Sequence, residues 1–134
     1  MASMRALSRE HCLELLASVP VGRVVFSMRA LPAIRPVNHL VDGDTVVIRS
    51  NLAGALASAA TQSGAVVVAY EADTLDLDSH TGWTVIVTGT ARLILDAARQ
   101  ARYEGLLRPW VDEPMNCVIG IDCDLVTGYE LTPA

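Results

Sequence analysis

The spacing of apolar positions changes along this chain, and each change marks an element. Cys12, Leu15, Leu16 and Val19 recur at helical spacing. Ser8 precedes them as an N-cap and Glu10 sits in the first turn, so a helix is expected over residues 8–19. Pro20 and Gly22 end it. Val24–Met28 then reads as a strand broken by Pro32, and Ile34–Leu40 as the next. Asp42-Gly43 is a tight-turn signal, returning the chain antiparallel through Thr45–Arg49. Ser50 or Asn51 can cap a short alanine-rich helix, Leu52–Gln62, closed by Gly64. Ala65–Tyr70 is a continuous apolar run, the mark of a central strand.

Beyond it, Glu71–Gly82 is acidic and turn-rich and reads as a loop. Trp83–Leu95 carries the longest strand signal, with Gly89 marking a bulge or a close backbone approach. Asp96 caps a helix over Ala97–Leu107, and Arg108-Pro109 stops it. Trp110–Pro114 forms a loop. Asn116–Cys123 is a further strand, extended by Val126–Leu131. About six strands and three helices result, without regular βα alternation. The fold expected is mainly β: one domain over 1–134, a six-stranded antiparallel barrel with short helices, helix 8–19 outside it.

Composition adds an expectation of self-association. Apolar residues make up 51% of the chain and only 19% are charged. So small a domain has much surface to cover, which suits burial of an apolar face in a homodimer. Net charge is −5, and all 10 basic residues are arginines. Dispersed arginines on an acidic chain exclude a nucleic-acid binder. No uncharged apolar stretch reaches about 18 residues and no leader opens the chain, so a soluble cytoplasmic protein without membrane association is expected. Cys12, Cys117 and Cys123 match no metal spacing and are expected as core thiols.

The candidate chemistry concerns an anion. Arg49 offers a rigid, permanently charged fork, Ser50 a hydroxyl, and the following helix its first amides. Together they suit a phosphate. Strand alternation places Arg35 and Val37 on one face and Pro36 and Asn38 on the other, so either Arg35 or Asn38 faces a ligand there. Pro36 argues for a sheet edge. His39 has the pKa range for acid–base work, though a surface position is the commoner fate of such a histidine. His80 and the aspartates of the acidic stretch form no calcium-loop pattern. Trp83 and Trp110 are candidates for walls of a flat-ligand pocket or for an interface. No nucleophile elbow, zinc motif or phosphate loop is present, which fits a protein whose cofactor carries the chemistry.

Pro36-Val-Asn38, Arg49-Ser50, Gly54-x-Leu56, Trp83-Thr-Val-x-Val-x-Gly89 and Val126-Thr-Gly128 follow one another in an order that resembles the pyridoxamine 5'-phosphate oxidase-like proteins. The likeness is to the small FMN-binding split-barrel members common in actinobacteria and runs from about Gly22 to Leu131. It implies a six-stranded split barrel, a homodimer, and flavin in the seam between subunits. The function implied is FMN-dependent oxidoreduction of a small organic substrate. On this likeness Arg35, Pro36, Val37 and Asn38 line the flavin ring and ribityl chain. Arg49, Ser50 and Asn51 face the phosphate, Leu56 supports that segment, and Trp83 and Thr84 approach from the neighbouring strand. The segment Tyr70-Glu-Ala-Asp73 matches an aromatic followed by an acidic pair. One departure stands out: Ala55 occupies a position where many relatives carry lysine. Two alternatives follow, the deazaflavin F420 as cofactor, or a degenerate barrel that binds no flavin.

Overall fold

The computed structural model describes residues 3–28, 30–50, 56, 64–108 and 117–133. Its strands are β1 (Ser3–Ala6), β2 (Val21–Met28), β3 (Leu31–Asp42), β4 (Thr45–Ser50), β5 (Ala65–Asp76), β6 (Thr81–Leu93), β7 (Cys117–Asp122) and β8 (Leu125–Thr132). Its helices are α1 (Arg9–Ala17) and α2 (Ala97–Leu106). All pairings are antiparallel. They run β6-β5-β2-β3-β4-β7, and β7 pairs back onto β6, closing a six-stranded barrel. β8 and β1 continue the sheet outward from β6. The expected barrel is therefore the one formed.

β6 decides the closure. Its first half, Gly82–Thr88, pairs with β8, and its last residues, Ala91–Leu93, pair with β7. The change of partner falls at Gly89, where a Cβ would lie 1.6 Å from the Asp122 carbonyl oxygen. Only glycine lets the turn between β7 and β8 cross so closely, which is the close backbone approach expected there.

Several expected boundaries shift. Glu71–Asp76 is strand, not loop: β5 and β6 form a long hairpin paired from Ala65↔Arg92 to Asp76↔Thr81. Tyr70 and Ala72 are buried while Glu71 and Asp73 face out, so the acidity belongs to one face of a strand. The turn itself is short. The Asp76 carboxylate accepts from the amides of Asp78 and Ser79, both at 2.9 Å. Pro32 does not break the sheet, since β3 starts at Leu31 and pairs Pro32 with Ser27. β4 covers only His39–Asp42 of β3, so Pro32 and Pro36 lie where β3 has an open edge and no amide is needed. β8 is no extension of β7, because the two strands pair with different parts of β6. β1 was not foreseen. The expected helix over 52–62 lies outside the described residues, except Leu56, which is buried in the core.

Both described helices start where expected. Ser8 Oγ accepts from the His11 amide, and the Asp96 carboxylate from the Arg99 amide. α1 puts Cys12 and Leu16 into the same core as Val24, Ile48, Val85 and Ile121. α2 covers a second cluster on the outside of the barrel, where Tyr103 and Leu107 pack on Val47, Ile94 and Val118. β4 is thus buried on both faces, Val46 and Ile48 inward and Val47 outward, which explains its unbroken apolar run.

His39 is the principal correction. It is buried in the core, not on the surface. Its Nε2 lies 2.8 Å from the Leu16 carbonyl, which can only accept, so that nitrogen carries the proton. Nδ1 then accepts from the Tyr70 hydroxyl at 2.6 Å. The neutral ring ties α1 to β3 and β5. Burial pushes the imidazole pKa down, against a smaller upward effect of the Leu16 carbonyl. The three cysteines are buried and free, as expected of core thiols.

Two predictions follow from the core. Gly89→Ala should sharply lower the thermal unfolding midpoint or abolish cooperative unfolding, because the added methyl meets backbone that cannot move without opening the barrel. An unchanged midpoint would contradict this closure. The second concerns pH. A histidine whose folded pKa is depressed contributes its full stability above its unfolded value near 6.5 and loses it as pH falls from there toward the folded value. Urea midpoints of the wild type should therefore decline below pH 6.5 more steeply than those of His39→Leu, in which Tyr70 keeps the Val37 carbonyl as acceptor. Parallel profiles would refute the assignment.

Candidate functional site

Alternation along β3 settles which expected residues share a face. Arg35 pairs with buried Val24 and lies on the inward side, as does Val37, which packs against the core. Arg35 sits where the sheet is open, is exposed, and donates to the Ile34 carbonyl at 3.1 Å. Pro36 and Asn38 point outward, Pro36 opposite Arg23.

Asn38 meets Arg49 on that outer face. The register His39↔Ile48 continues to bring residue 38 opposite residue 49, and Arg49 stands on the outward side of β4, opposite Val118. Both side chains reach the chain just after α2. Arg49 Nη1 donates to the Leu107 carbonyl at 2.9 Å, and Asn38 Nδ2 to the Arg108 carbonyl at 2.8 Å. Leu107 is buried against the barrel, and its amide closes the last turn of α2 onto the Tyr103 carbonyl. At its far side α2 is held by Tyr103, whose hydroxyl donates to Asp42 at 2.6 Å.

The remaining expected residues divide. Ser50 follows Arg49, is half-buried, and by alternation leaves the opposite face of β4, beside Cys117. Leu56 packs in the barrel core. Trp83 lies on the inward side of β6 against the same core, so it helps hold the barrel together. Thr84 faces outward between Asp73 and Tyr129. Asn51, Ala55 and Trp110 lie outside the described residues.

Sequence reasoning missed the polar centre of the outer face. Arg23 Nη1 lies 3.0 Å from Glu71 and 3.6 Å from Asp73, and Thr84 Oγ1 donates to the other Glu71 oxygen at 3.4 Å. Partial burial pushes the Glu71 pKa up, and Asp73 adds to this, while Arg23 opposes both. The signal was present in the acidic pair of the Tyr70–Asp73 segment, but its cationic partner lies 48 residues away in sequence. Around these charges the outer sheet carries exposed apolar residues interspersed with threonines such as Thr88 and Thr127. Ile34, Val67, Ile86 and Leu125 all lie on it, with exposures from 41% at Ile86 to 67% at Val67. Asn38 and Thr84 are three strand spacings apart, roughly 14 Å along the sheet. Among the described residues no group of side chains is placed to hold a metal ion, and no helix is long and apolar enough to cross a membrane.

Comparison with known proteins agrees with this architecture. A family model described as pyridoxamine 5'-phosphate oxidase matches residues 8–129. The chain is 51% identical over 128 residues to the uncharacterised protein Rv0080 of Mycobacterium tuberculosis, spanning 93% of this chain and 84% of that one. A crystal structure from Corynebacterium glutamicum, assigned provisionally as a pyridoxamine 5'-phosphate oxidase, superposes with a TM-score of 0.80 at 28% identity, covering 97% of this chain and 99% of that one. A structure described as the FAD binding protein of Mycobacterium smegmatis superposes with a TM-score of 0.71 at 27% identity, covering 96% and 98%. With a closed six-stranded barrel and a family match over nearly its whole length, the chain belongs to the pyridoxamine 5'-phosphate oxidase family.

Proposed function

We propose that this protein is a flavin-dependent oxidoreductase, working as a homodimer that joins through the outer sheet face, with FMN as its cofactor and a small organic molecule as its substrate. The observation that carries this reading is the convergence of Asn38 and Arg49 on one outward face, which continues into the sheet bearing the exposed Ile34, Val67, Ile86 and Leu125. A similar structure described as an FAD binding protein supports the flavin.

The donor set fits such a ligand. The Arg49 guanidinium is permanently charged and forked, which suits a phosphate. Its bond to the Leu107 carbonyl fixes where the guanidinium stands on this face. Asn38 can present an amide to a polar ring edge, and Thr84 stands far enough along the same face to meet the other end of an extended ligand. Bound flavin would supply hydride and electron transfer. The chain's part is to bind, orient and exclude water. A second copy laid on Ile34, Val67, Ile86 and Leu125 would provide that exclusion. Three buried free thiols suit a reducing compartment, in keeping with a cytoplasmic protein.

Titration of the purified protein with FMN, FAD and riboflavin, read by quenching of flavin fluorescence, should show saturable binding of the phosphorylated flavins. Arg49→Ala should weaken FMN roughly ten- to a hundredfold. No binding of any flavin at tens of micromolar would defeat the reading. Sedimentation velocity should find a dimer, and Ile86→Glu, which puts a charge on the apolar face, should yield monomer with an unchanged far-ultraviolet spectrum. A monomeric wild type at micromolar concentration would overturn the proposed assembly.

A further inference from the structure

The sheet leaves one long stretch of strand with a single neighbour. β3 pairs with β2 from Leu31 to Asn38, whereas β4 reaches only its last residues, His39–Asp42. Among the described residues no strand lies beyond Leu31–Asn38 on that side. Unpaired backbone groups in such a row are a template for a strand of another copy. The stretch is also apolar. Leu31 and Ile34 are 68% and 58% exposed, and Met28, opposite Leu31, is exposed as well.

Register tells which backbone groups line this edge. The His39 amide donates to the Pro20 carbonyl at 2.9 Å, toward β2. From there the ladder runs without a bulge to Met28↔Leu31. Backbone groups of successive residues alternate sides, so Ala33, Arg35 and Val37 turn theirs to β2, and residues 32, 34 and 36 turn theirs to the open side. Two of those three are Pro32 and Pro36, which carry no N–H. Between residues 32 and 36 the open side therefore offers one donor, the Ile34 amide, beside three carbonyls. Arg35 Nη1 already donates to the middle carbonyl, that of Ile34, at 3.1 Å. A strand laid here would leave its own carbonyls opposite the two prolines without donors, which is unfavourable relative to water.

The opposite edge has no such feature. β1 is four residues long, and Arg5 pairs there with Glu130 of β8. So short a strand offers little to pair with. Lysine, another common guard of an open edge, does not occur in this chain.

We propose that Pro32 and Pro36 close the long edge of β3 to strand addition by a second copy of this chain. The inference concerns the edge alone and is independent of the flavin reading. A proline could also act only by stiffening the β2–β3 hairpin. The two roles separate when the prolines are replaced in two ways. Pro32→Ala/Pro36→Ala and Pro32→Lys/Pro36→Lys both lose the rings and regain both amides, but the lysines keep a charge against edge pairing.

Sedimentation velocity over rising protein concentration, combined with amide hydrogen exchange, tests this. The alanine double variant should keep the wild-type far-ultraviolet spectrum and form species whose mass rises with concentration to roughly twofold or more above that of the wild type. Exchange of the Ile34 amide should slow in those species. The lysine double variant should match the wild type in mass. An alanine variant of wild-type mass at every concentration would overturn the proposal. Equal association of the alanine and lysine variants would also overturn it, as would larger species in which the Ile34 amide exchanges as fast as in the wild type. Should the double alanine variant lose its fold, Pro32→Ala alone serves, with the same outcomes.

Discussion

The barrel depends on one strand serving two partners. β6 is paired to β8 along its first half and to β7 at its end, and the exchange takes place at Gly89, where backbone passes within the space a side chain would fill. An antiparallel sheet of this length would otherwise expose edges. Closure pairs β4 and β6 to the two sides of β7, and it leaves as edges the short β1 and the first part of β3, which carries Pro32 and Pro36. It also fixes which residues face in and which face out, and that division governs everything about the site.

Inside, the barrel is apolar, with one buried polar link. Tyr70, His39 and the Leu16 carbonyl form a chain of hydrogen bonds from β5 through β3 to α1. Each donor in that chain meets an acceptor, so the buried groups stabilise the helix position without leaving a charge in the core. Close packing continues where Gly128 lies against Cys12, a Cβ there falling 2.5 Å from the sulfur. α1 is therefore part of the core and not an appendage.

Outside, the charged residues of the sheet are grouped. Arg23, Glu71, Asp73 and Thr84 form a network among the exposed apolar residues and threonines of the outer sheet. Asn38 and Arg49 form a second group at the rim, where they anchor the end of α2. A face of this kind has apolar area for association and fixed donors for an anionic ligand beside it. Tying α2 to the same residues means that the helix, the barrel wall and the proposed phosphate site share their rigid support.

Much of this was legible in the residues themselves. Ser8 and Asp96 announced their helices because an N-cap is a local contact. The Asp42-Gly43 turn, the apolar runs of β4 and β5, and the need for glycine at 89 came from periodicity and local backbone demands. The order of short motifs pointed to the family, and alternation correctly separated Arg35 from Asn38. What the sequence could not determine involved partners distant along the chain. Glu71 and Asp73 read as a loop because acidity is ambiguous until Arg23 is known to lie beside them. His39 read as a surface residue because nothing nearby in sequence reveals Tyr70 or Leu16. Arg108 read as a helix stop because only the closed barrel brings β3 and β4 beneath it. Local propensity is written in neighbouring residues, whereas the pairing of charges and buried donors is set when strands close, and only the tertiary structure decides that.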